Sequence, residues 1–425
     1  MSLQSIRTDV KSGGYDSDFE LMYSSVDSAK LRYLKAVDEF EKLYGDAEGI
    51  RFFSAPGRTE VGGNHTDHQH GRVLAGSVDL DVIAVATQNE DNIIRIKSEG
   101  YEMDVIDLNC LEPQKSEEGK ASALIRGMAA FVKESGFKIG GFNAYTTSNV
   151  LKGSGLSSSA AFEVLIGVIL SNLFNNGEID PVEIAKLAQK AENIYFGKPC
   201  GLMDQMASSV GGFTAIDFAD PKNPVIEKID FNLSEHKHSL CIVNTGGNHA
   251  DLTGDYAAIT EEMGAVSNLL EENYLRDVDE NEFFSKIASI REECGDRAVI
   301  RAMHFFADNA LVLDEKNALL QNKFKDFLSM IKKSGNSSFR YLQNVFSVSA
   351  PTEQGLSLAL ALTERFLGSK GAFRVHGGGF AGTIQAFVPN KMLADYKKLI
   401  ESVFGEDSCY VLNIRPVGGY ALSVK

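Results

Sequence analysis

The chain has 425 residues, of which 42 are Lys or Arg and 58 are Asp or Glu; 44% are hydrophobic and 24% charged. This length allows two or three cooperative cores, and the composition is ordinarily globular. The net charge of −16 argues against non-specific binding to nucleic acid or anionic membrane, since both draw their affinity from clustered Lys and Arg.

At the N-terminus, MSLQSIRTDVKSGGYDSDFE contains no apolar signal-peptide core. From Asp27 to Leu43, the apolar residues Leu31, Leu34, Ala36, Phe40 and Leu43 recur at about helical spacing, which predicts an amphipathic helix closed near Gly45. Residues 73–86 and 93–96 are β-branched and bounded by polar or glycine-containing stretches, as strands are. A helix over Ala121–Glu134 and a strand near 141–147 follow.

After Ser157, Ala160, Ala161, Val164, Leu165, Val168, Ile169 and Leu173 predict a buried helix whose first amides the preceding serines can cap. Asp180-Pro181-Val182-Glu183 supplies an N-cap, a proline at the first helical position and an acid at the third, opening a helix that runs to Gly197. Residues 213–233 read as extended, with a turn at Asp220–Pro224, and 239–244 as a buried strand; a domain boundary falls in this region. Residues 255–370 are mostly helical, and 373–376, 383–388 and 409–424 read as strands. There is no repeat, and no run nears the roughly 18 apolar residues of a membrane span. Cys110, Cys200, Cys241, Cys294 and Cys409 are scattered and odd in number, with no C-x-x-C pair, which points to a reducing compartment and a cytoplasmic location.

Four stretches carry candidate chemistry. LKGSGLSSSAAFEVLIGV, residues 151–168, puts glycines and hydroxyls just before a helix whose free N–H groups face an anion. The plain alternative is a glycine turn with serine caps, and neither a Walker A loop nor a nucleophile elbow is present. Gly377–Gly382 formally matches G-x-G-x-x-G, but TIQAFVP after it reads as a strand, whereas a dinucleotide fingerprint needs a helix there. APGRTEVGGNHTDHQHG, residues 55–71, crowds Arg58, Glu60, Asn64, His65, Asp67, His68 and His70 together, leaving open a metal site or a site for a sugar or other polyol. In KPCGLMDQMASSVGG, residues 198–212, Asp204 sits among Leu202, Met203 and Met206, as a functional carboxylate or a helix cap; Glu192 borders an apolar helix stripe upstream.

In this order, the four clusters resemble the galactokinases of the GHMP kinase family: APGR at 55–58 with HTD at 65–67, GLSSSAA at 155–161, CGLMDQ at 200–205 and GGGFAGT at 377–383. The resemblance implies an α+β, two-domain GHMP kinase fold. A mixed α/β domain of residues 1–225 would precede an α+β, ferredoxin-like domain of residues 226–425, with the active site in the cleft between them. It implies a monomeric or weakly dimeric sugar kinase making galactose 1-phosphate from galactose and ATP with Mg²⁺, and no nucleic-acid or membrane partner.

By motif position, Asp204 would face the anomeric hydroxyl as base or electrostatic partner, and Arg58 would stabilise charge on the γ-phosphoryl group. Asn64, His65, Asp67 and Tyr256 would hold the sugar. Gly153, Ser154, Gly155, Leu156, Ser157, Ser158, Ser159 and Ala160 would hold ATP, with Gly378, Gly379 and Phe380 in the third motif and Ser158 and Glu192 on Mg²⁺. The usual G-E-H-T-D-Y reads Gly63-Asn64-His65-Thr66-Asp67-His68 here, so an amide replaces an acid expected at the sugar's 6-hydroxyl. Asn64 can donate to a C6 carboxylate, and D-H-Q at 67–69 looks like the family's galacturonate kinases, so a kinase for galacturonate or a related sugar is the alternative. A catalytically silent sugar sensor is another.

Overall fold

The structure is a computed structural model that describes residues 1–150, 155–247 and 252–423. Among the described residues, twelve strands form two sheets. The first contains β1 (Arg51–Gly62), β2 (Arg72–Gln88), β3 (Ile93–Ser98), β4 (Met103–Asp107), β5 (Phe142–Ser148), β6 (Phe213–Asp217), β7 (Val225–Ile229) and, from the C-terminal end, β12 (Tyr420–Ala421). The second is β8 (His238–Asn244), β9 (Ala372–His376), β10 (Thr383–Pro389) and β11 (Cys409–Leu412), in the order β11-β8-β10-β9.

In the first sheet β2 pairs with β1, β5 and β6, which explains why a stretch expected as a short strand runs unbroken for 17 residues. Its side chains alternate between two cores, as the period of two in a strand requires. Val82, Ala84 and Ala86 enter the main core, while Ile83 and Val85 meet the N-terminal helices. Those helices are α1 (Leu3–Ser12), α2 (Asp16–Met22) and α3 (Val26–Tyr44); the sequence reading predicted only the last. Ser2 and Ser25 cap α1 and α3 by accepting from Ser5 and Ser28 N–H groups, and Leu3, Ile6, Val10, Phe19, Tyr33 and Phe40 bury themselves against Phe52.

The opposite face carries α4 (Ala121–Glu134), α5 (Ser158–Phe174), α6 (Pro181–Ala191) and α7 (Met203–Val210). Asp180 caps α6 through Val182 N at 2.8 Å, with proline next, as its sequence predicts. The helix ends sooner than expected: Glu192–Phe196 widen into a π-turn that stops at Gly197. Such turns recur at functional sites because they re-aim side chains.

Between β8 and β9 of the second sheet the chain forms α8 (Thr253–Leu269), α9 (Glu280–Ser285), α10 (Ile287–Cys294), α11 (Asp296–Leu320), α12 (Phe324–Ser337) and α13 (Gly355–Leu367), and between β10 and β11 it forms α14 (Leu393–Phe404). The second sheet is covered on both faces. Leu240, Ile242 and Phe387 point toward Phe327 and Ile331 of α12, and Cys241, Val243 and Ile384 toward Leu356, Tyr396 and Ile400 of α13 and α14. A division at 225/226 cuts β7 at its first residue and leaves β12 in the sheet it completes beside β1. No helix of the described residues is long and apolar enough to cross a membrane.

Candidate active site

The site begins with irregularities in β1. Its pairing with β2 shifts between Pro56 and Arg58 and again between Glu60 and Gly62. Such bulges bend a strand and re-aim its side chains, and here they bracket Arg58, Thr59 and Glu60. At Gly57 an added Cβ would lie 2.8 Å from the Leu156 carbonyl, so glycine lets β1 approach the segment that opens α5. Arg58 N then donates to that same carbonyl at 3.0 Å.

The side chain of Arg58, a residue only 8% exposed, spans the gap between segments. Its Nε donates to Asp204 Oδ1 at 2.6 Å and its Nη1 to the Gly155 carbonyl. The other Asp204 oxygen accepts from Ser157 Oγ. Ser157 is the N-cap of α5 but has φ 56°, and its hydroxyl serves Asp204 rather than the helix amides. Burial alone would raise the pKa of Asp204; the charge and hydrogen bond of Arg58, with the Ser157 hydroxyl, outweigh it and hold the carboxyl below its ordinary value.

Beside this pair is a cavity of about 200 Å³ lined by Arg58, Glu60, His65, Asp67, His68, Cys200, Gly201, Met203, Asp204, Gly377 and Gly378. His65 is held by the third glycine motif, its Nε2 2.9 Å from the Gly378 carbonyl, which requires the proton on that nitrogen. Burial, with His68 nearby, pushes its pKa down to about 4, so the ring is neutral. The motif itself is a turn between the antiparallel β9 and β10, as the strand-like TIQAFVP demands. At Gly378 an added Cβ would stand 2.6 Å from the Tyr256 ring. Phe380, with φ 59°, buries its ring edge-on to Tyr256.

Asn64 does not reach the cleft. It is fully buried; its Nδ2 donates to Glu60 Oε1 at 2.9 Å and to the Gly377 carbonyl at 2.8 Å, while its Oδ1 accepts from Ser338 Oγ and Asn344 Nδ2. Tyr256 also stands outside the cavity lining, its hydroxyl donating to the Gly379 carbonyl at 3.0 Å. Leu156 and Ala160 are buried, and Gly153 and Ser154 lie outside the described residues. Among the described serines of this loop, Ser159 is the one in contact with Glu192, at 3.4 Å; the acid also accepts from Lys198 and from Gln205 Nε2.

Two residues that the sequence reading missed help to build this site. Arg374, fully buried on β9, donates to Glu60 Oε1 at 2.7 Å and to the Val61 carbonyl, tying the two sheets together. His376 bridges Thr59 and Thr383; burial and then the Arg58 charge push its pKa down to about 3, keeping it neutral. Both lie two apart on one strand, where an Arg and a His in an otherwise apolar run were the available signal.

Of the three clustered histidines, His65 binds Gly378 and lies with its ring 5.6 Å from that of half-exposed His68, while His70 stacks on Tyr274 at 3.5 Å. Among the described residues, no group of three or more His, Cys, Asp or Glu side chains is placed to hold a metal ion.

A family model described as the GHMP kinases N terminal domain matches residues 123–212, and one described as the galactokinase galactose-binding signature matches residues 38–88. A galactokinase of Streptomyces coelicolor is 28% identical over 370 residues, covering 86% of this chain and 92% of its own. One of Glaesserella parasuis is 29% identical over 364 residues, covering 85% and 91%. The crystal structure of Lactococcus lactis galactokinase complexed with galactose superposes with a TM-score of 0.76 at 24% identity, over 91% of this chain and 99% of that one. The Methanococcus jannaschii mevalonate kinase does so with 0.61 at 16% identity, over 87% and 99%.

Proposed function

We infer that the chain is a member of the GHMP kinase family, with galactokinases among its relatives there, and that it transfers the γ-phosphoryl group of ATP to the anomeric hydroxyl of galactose. The observation that carries the residue roles is the Arg58–Asp204 pair, set between the start of α5 and a cavity lined by sugar-binding types of side chain.

Phosphoryl transfer asks a protein mainly to position the reactants and neutralise developing charge. The Asp204 carboxylate, ionised and aimed by Arg58 and Ser157, accepts a hydrogen bond from the attacking hydroxyl and orients it. Its lowered pKa makes it a weak base, which suits a loose transition state that needs little proton removal at the outset. Arg58 brings positive charge to the transferring group. The free amides opening α5 at Ser158 and Ser159 face phosphate oxygens. This local field gathers ATP in spite of the overall charge of −16.

Magnesium is the family's partner for ATP, and the donors near α5 suit it. Ser158 and Glu192 would hold the ion, with Glu163 behind them carrying a buried oxygen, Oε1, that has no hydrogen-bond partner. Mg²⁺ takes one or two carboxylates together with phosphate oxygens, and when bound it neutralises phosphate charge.

Galactose is the favoured sugar. The galacturonate alternative needs Asn64 to donate to a C6 carboxylate, but both its N–H groups are already engaged by Glu60 and Gly377. A panel of galactose, galacturonate and N-acetylgalactosamine, with ATP consumption as readout, tests the assignment. Turnover of galactose well above the others supports it, and negligible galactose turnover beside rapid turnover of another sugar overturns it.

A further inference from the structure

The acid missing at position 64 reappears four residues earlier. Glu60 lines the cavity and is clamped through one oxygen only: Oε1 accepts from Arg374 Nη2 at 2.7 Å and from Asn64 Nδ2 at 2.9 Å. Among the described residues Oε2 receives no hydrogen bond, and it is not among the polar atoms sealed from solvent. A carboxylate held by one oxygen, with the other left toward a cavity, is arranged to accept from a ligand.

Its position along β1 is equally specific. Arg58 and Glu60 pair with Ser77 and Ala75 of β2 without a shift between them, so they are consecutive same-side residues, about 7 Å apart along the strand. Arg58 marks the reacting end of the cavity through Asp204, so Glu60 marks the other end. That spacing suits two ends of one hexose ring.

Resting on the sugar-kinase reading above, we propose that Glu60 is the specificity-determining residue for the end of the sugar remote from the reacting hydroxyl: its Oε2 accepts a hydrogen bond from a hydroxyl there and rejects a carboxylate in its place. Asn64 serves it as a positioning residue. Arg58, Arg374, Asp67 and Glu315 are the charged or titratable groups that bear on this carboxyl from β1, β9, the 67–69 turn and α11. Arg374 fixes its place while Arg58 acts on it through charge alone, and the Arg374 guanidinium is itself fully engaged by Glu60, Val61 and Val375.

The test is steady-state kinetics of the full chain at pH 8, where Glu60 is ionised, with galactose, each of its monodeoxy analogues and galacturonate. Wild type is compared with Glu60→Gln and with Glu60→Asp, which keeps the charge for Arg374 but withdraws it from the cavity. Glu60→Gln is expected to raise the galactose KM about 10- to 100-fold, with the KM for ATP within about twofold. The penalty should vanish for the one deoxy analogue that lacks the contacted hydroxyl, and galacturonate should gain on galactose by about tenfold or more. Where Glu60→Gln fails to fold, Glu60→Asp carries the same comparison. A penalty equal for all the deoxy sugars shows a merely structural role and overturns the proposal while leaving the kinase assignment intact. A wild-type enzyme inactive on the whole panel overturns both.

Discussion

Arg58 Nε lies 2.6 Å from Asp204 Oδ1, so the cation and the acid of the site exist as one hydrogen-bonded unit before any substrate arrives. Removing Asp204 therefore has two consequences. Asp204→Ala should abolish measurable turnover while largely preserving ATP binding, and should also strand a buried guanidinium at a stability cost of about 3–5 kcal/mol. Asp204→Asn separates the two: it can still accept from Arg58, so its melting temperature should stay closer to wild type while kcat falls at least about 100-fold. Calorimetry and nucleotide titration check both, and an active Asp204→Ala enzyme would refute the assigned role.

The Ser157 backbone and side chain make opposite contributions. Its φ of 56° is costly for a residue with a Cβ, about 1–2 kcal/mol, while its hydroxyl donates to Asp204. Ser157→Ala and Ser157→Gly lose the same hydroxyl, so both should lower kcat, by about 3- to 10-fold. In urea melts, however, Ser157→Gly should be more stable than Ser157→Ala by about 1 kcal/mol. Equal stability of the two would mean that the left-handed backbone is not maintained in solution.

Glu60 gives stability a distinctive pH dependence. Its carboxyl is pushed up to about 7, because burial outweighs the charges of Arg374 and Arg58. The folded chain therefore binds more protons than the unfolded one between about pH 4.5 and 7. Stability from this group is greatest below that window and falls as pH rises through it, by up to about 3 kcal/mol. Asp204, shifted the opposite way, contributes stability above its unfolded pKa and loses it only at more acidic pH. Glu60→Gln should flatten the decline across pH 5–7, as followed by denaturant midpoints; an unchanged slope would remove Glu60 as its source.

How far the sequence discloses this site follows from where each constraint originates. The start of helix α6 was legible because Asp180 and Pro181 are local signals, whereas Gly197 marks the end of the π-turn that follows it. Asp204 and Arg58 were singled out only through the order of four motifs, and their contact across 146 positions was not foreseen, since neither stretch alone predicts it. Asn64 was misplaced for a related reason. Whether it faces the cleft is decided by Ser338, Asn344 and Gly377, more than 270 residues away, and their bonds draw its amide inward. Helices α1 and α2 were missed although Leu3, Ile6 and Val10 have helical spacing, because such short amphipathic segments gain most of their stability from the β-sheet they cover.

Glu192 should govern the magnesium requirement. Its oxygens are held by Lys198, Ser159 and Gln205, and Glu163 adds a second buried carboxyl whose pKa is raised by burial and by Glu192 itself. A cation between such groups and the phosphates would relieve that repulsion. Glu192→Gln is expected to raise the Mg²⁺ concentration for half-maximal activity about tenfold or more, with a smaller change in galactose KM. Titration of activity with MgCl₂ at fixed ATP checks this, and an unshifted midpoint would exclude Glu192 as a ligand.

Gly378 and Tyr256 test whether the third motif must be glycine for space or for backbone freedom. Gly378 is not among the glycines at positive φ, whereas Gly377 and Gly379 are, so the constraint at 378 is steric: a Cβ there would lie 2.6 Å from the Tyr256 ring. Gly378→Ala should cost about 1–3 kcal/mol by overpacking and should raise the sugar KM, because the Gly378 carbonyl that holds His65 would shift with it. Tyr256→Ala opens the room but removes an edge-on contact with Phe380 and the hydrogen bond to Gly379. If the clash is the whole penalty, the Gly378→Ala/Tyr256→Ala pair should be more stable than the sum of the single losses predicts, by about 1 kcal/mol or more. Strict additivity in denaturant melts would mean instead that the motif moves away from Tyr256 without cost.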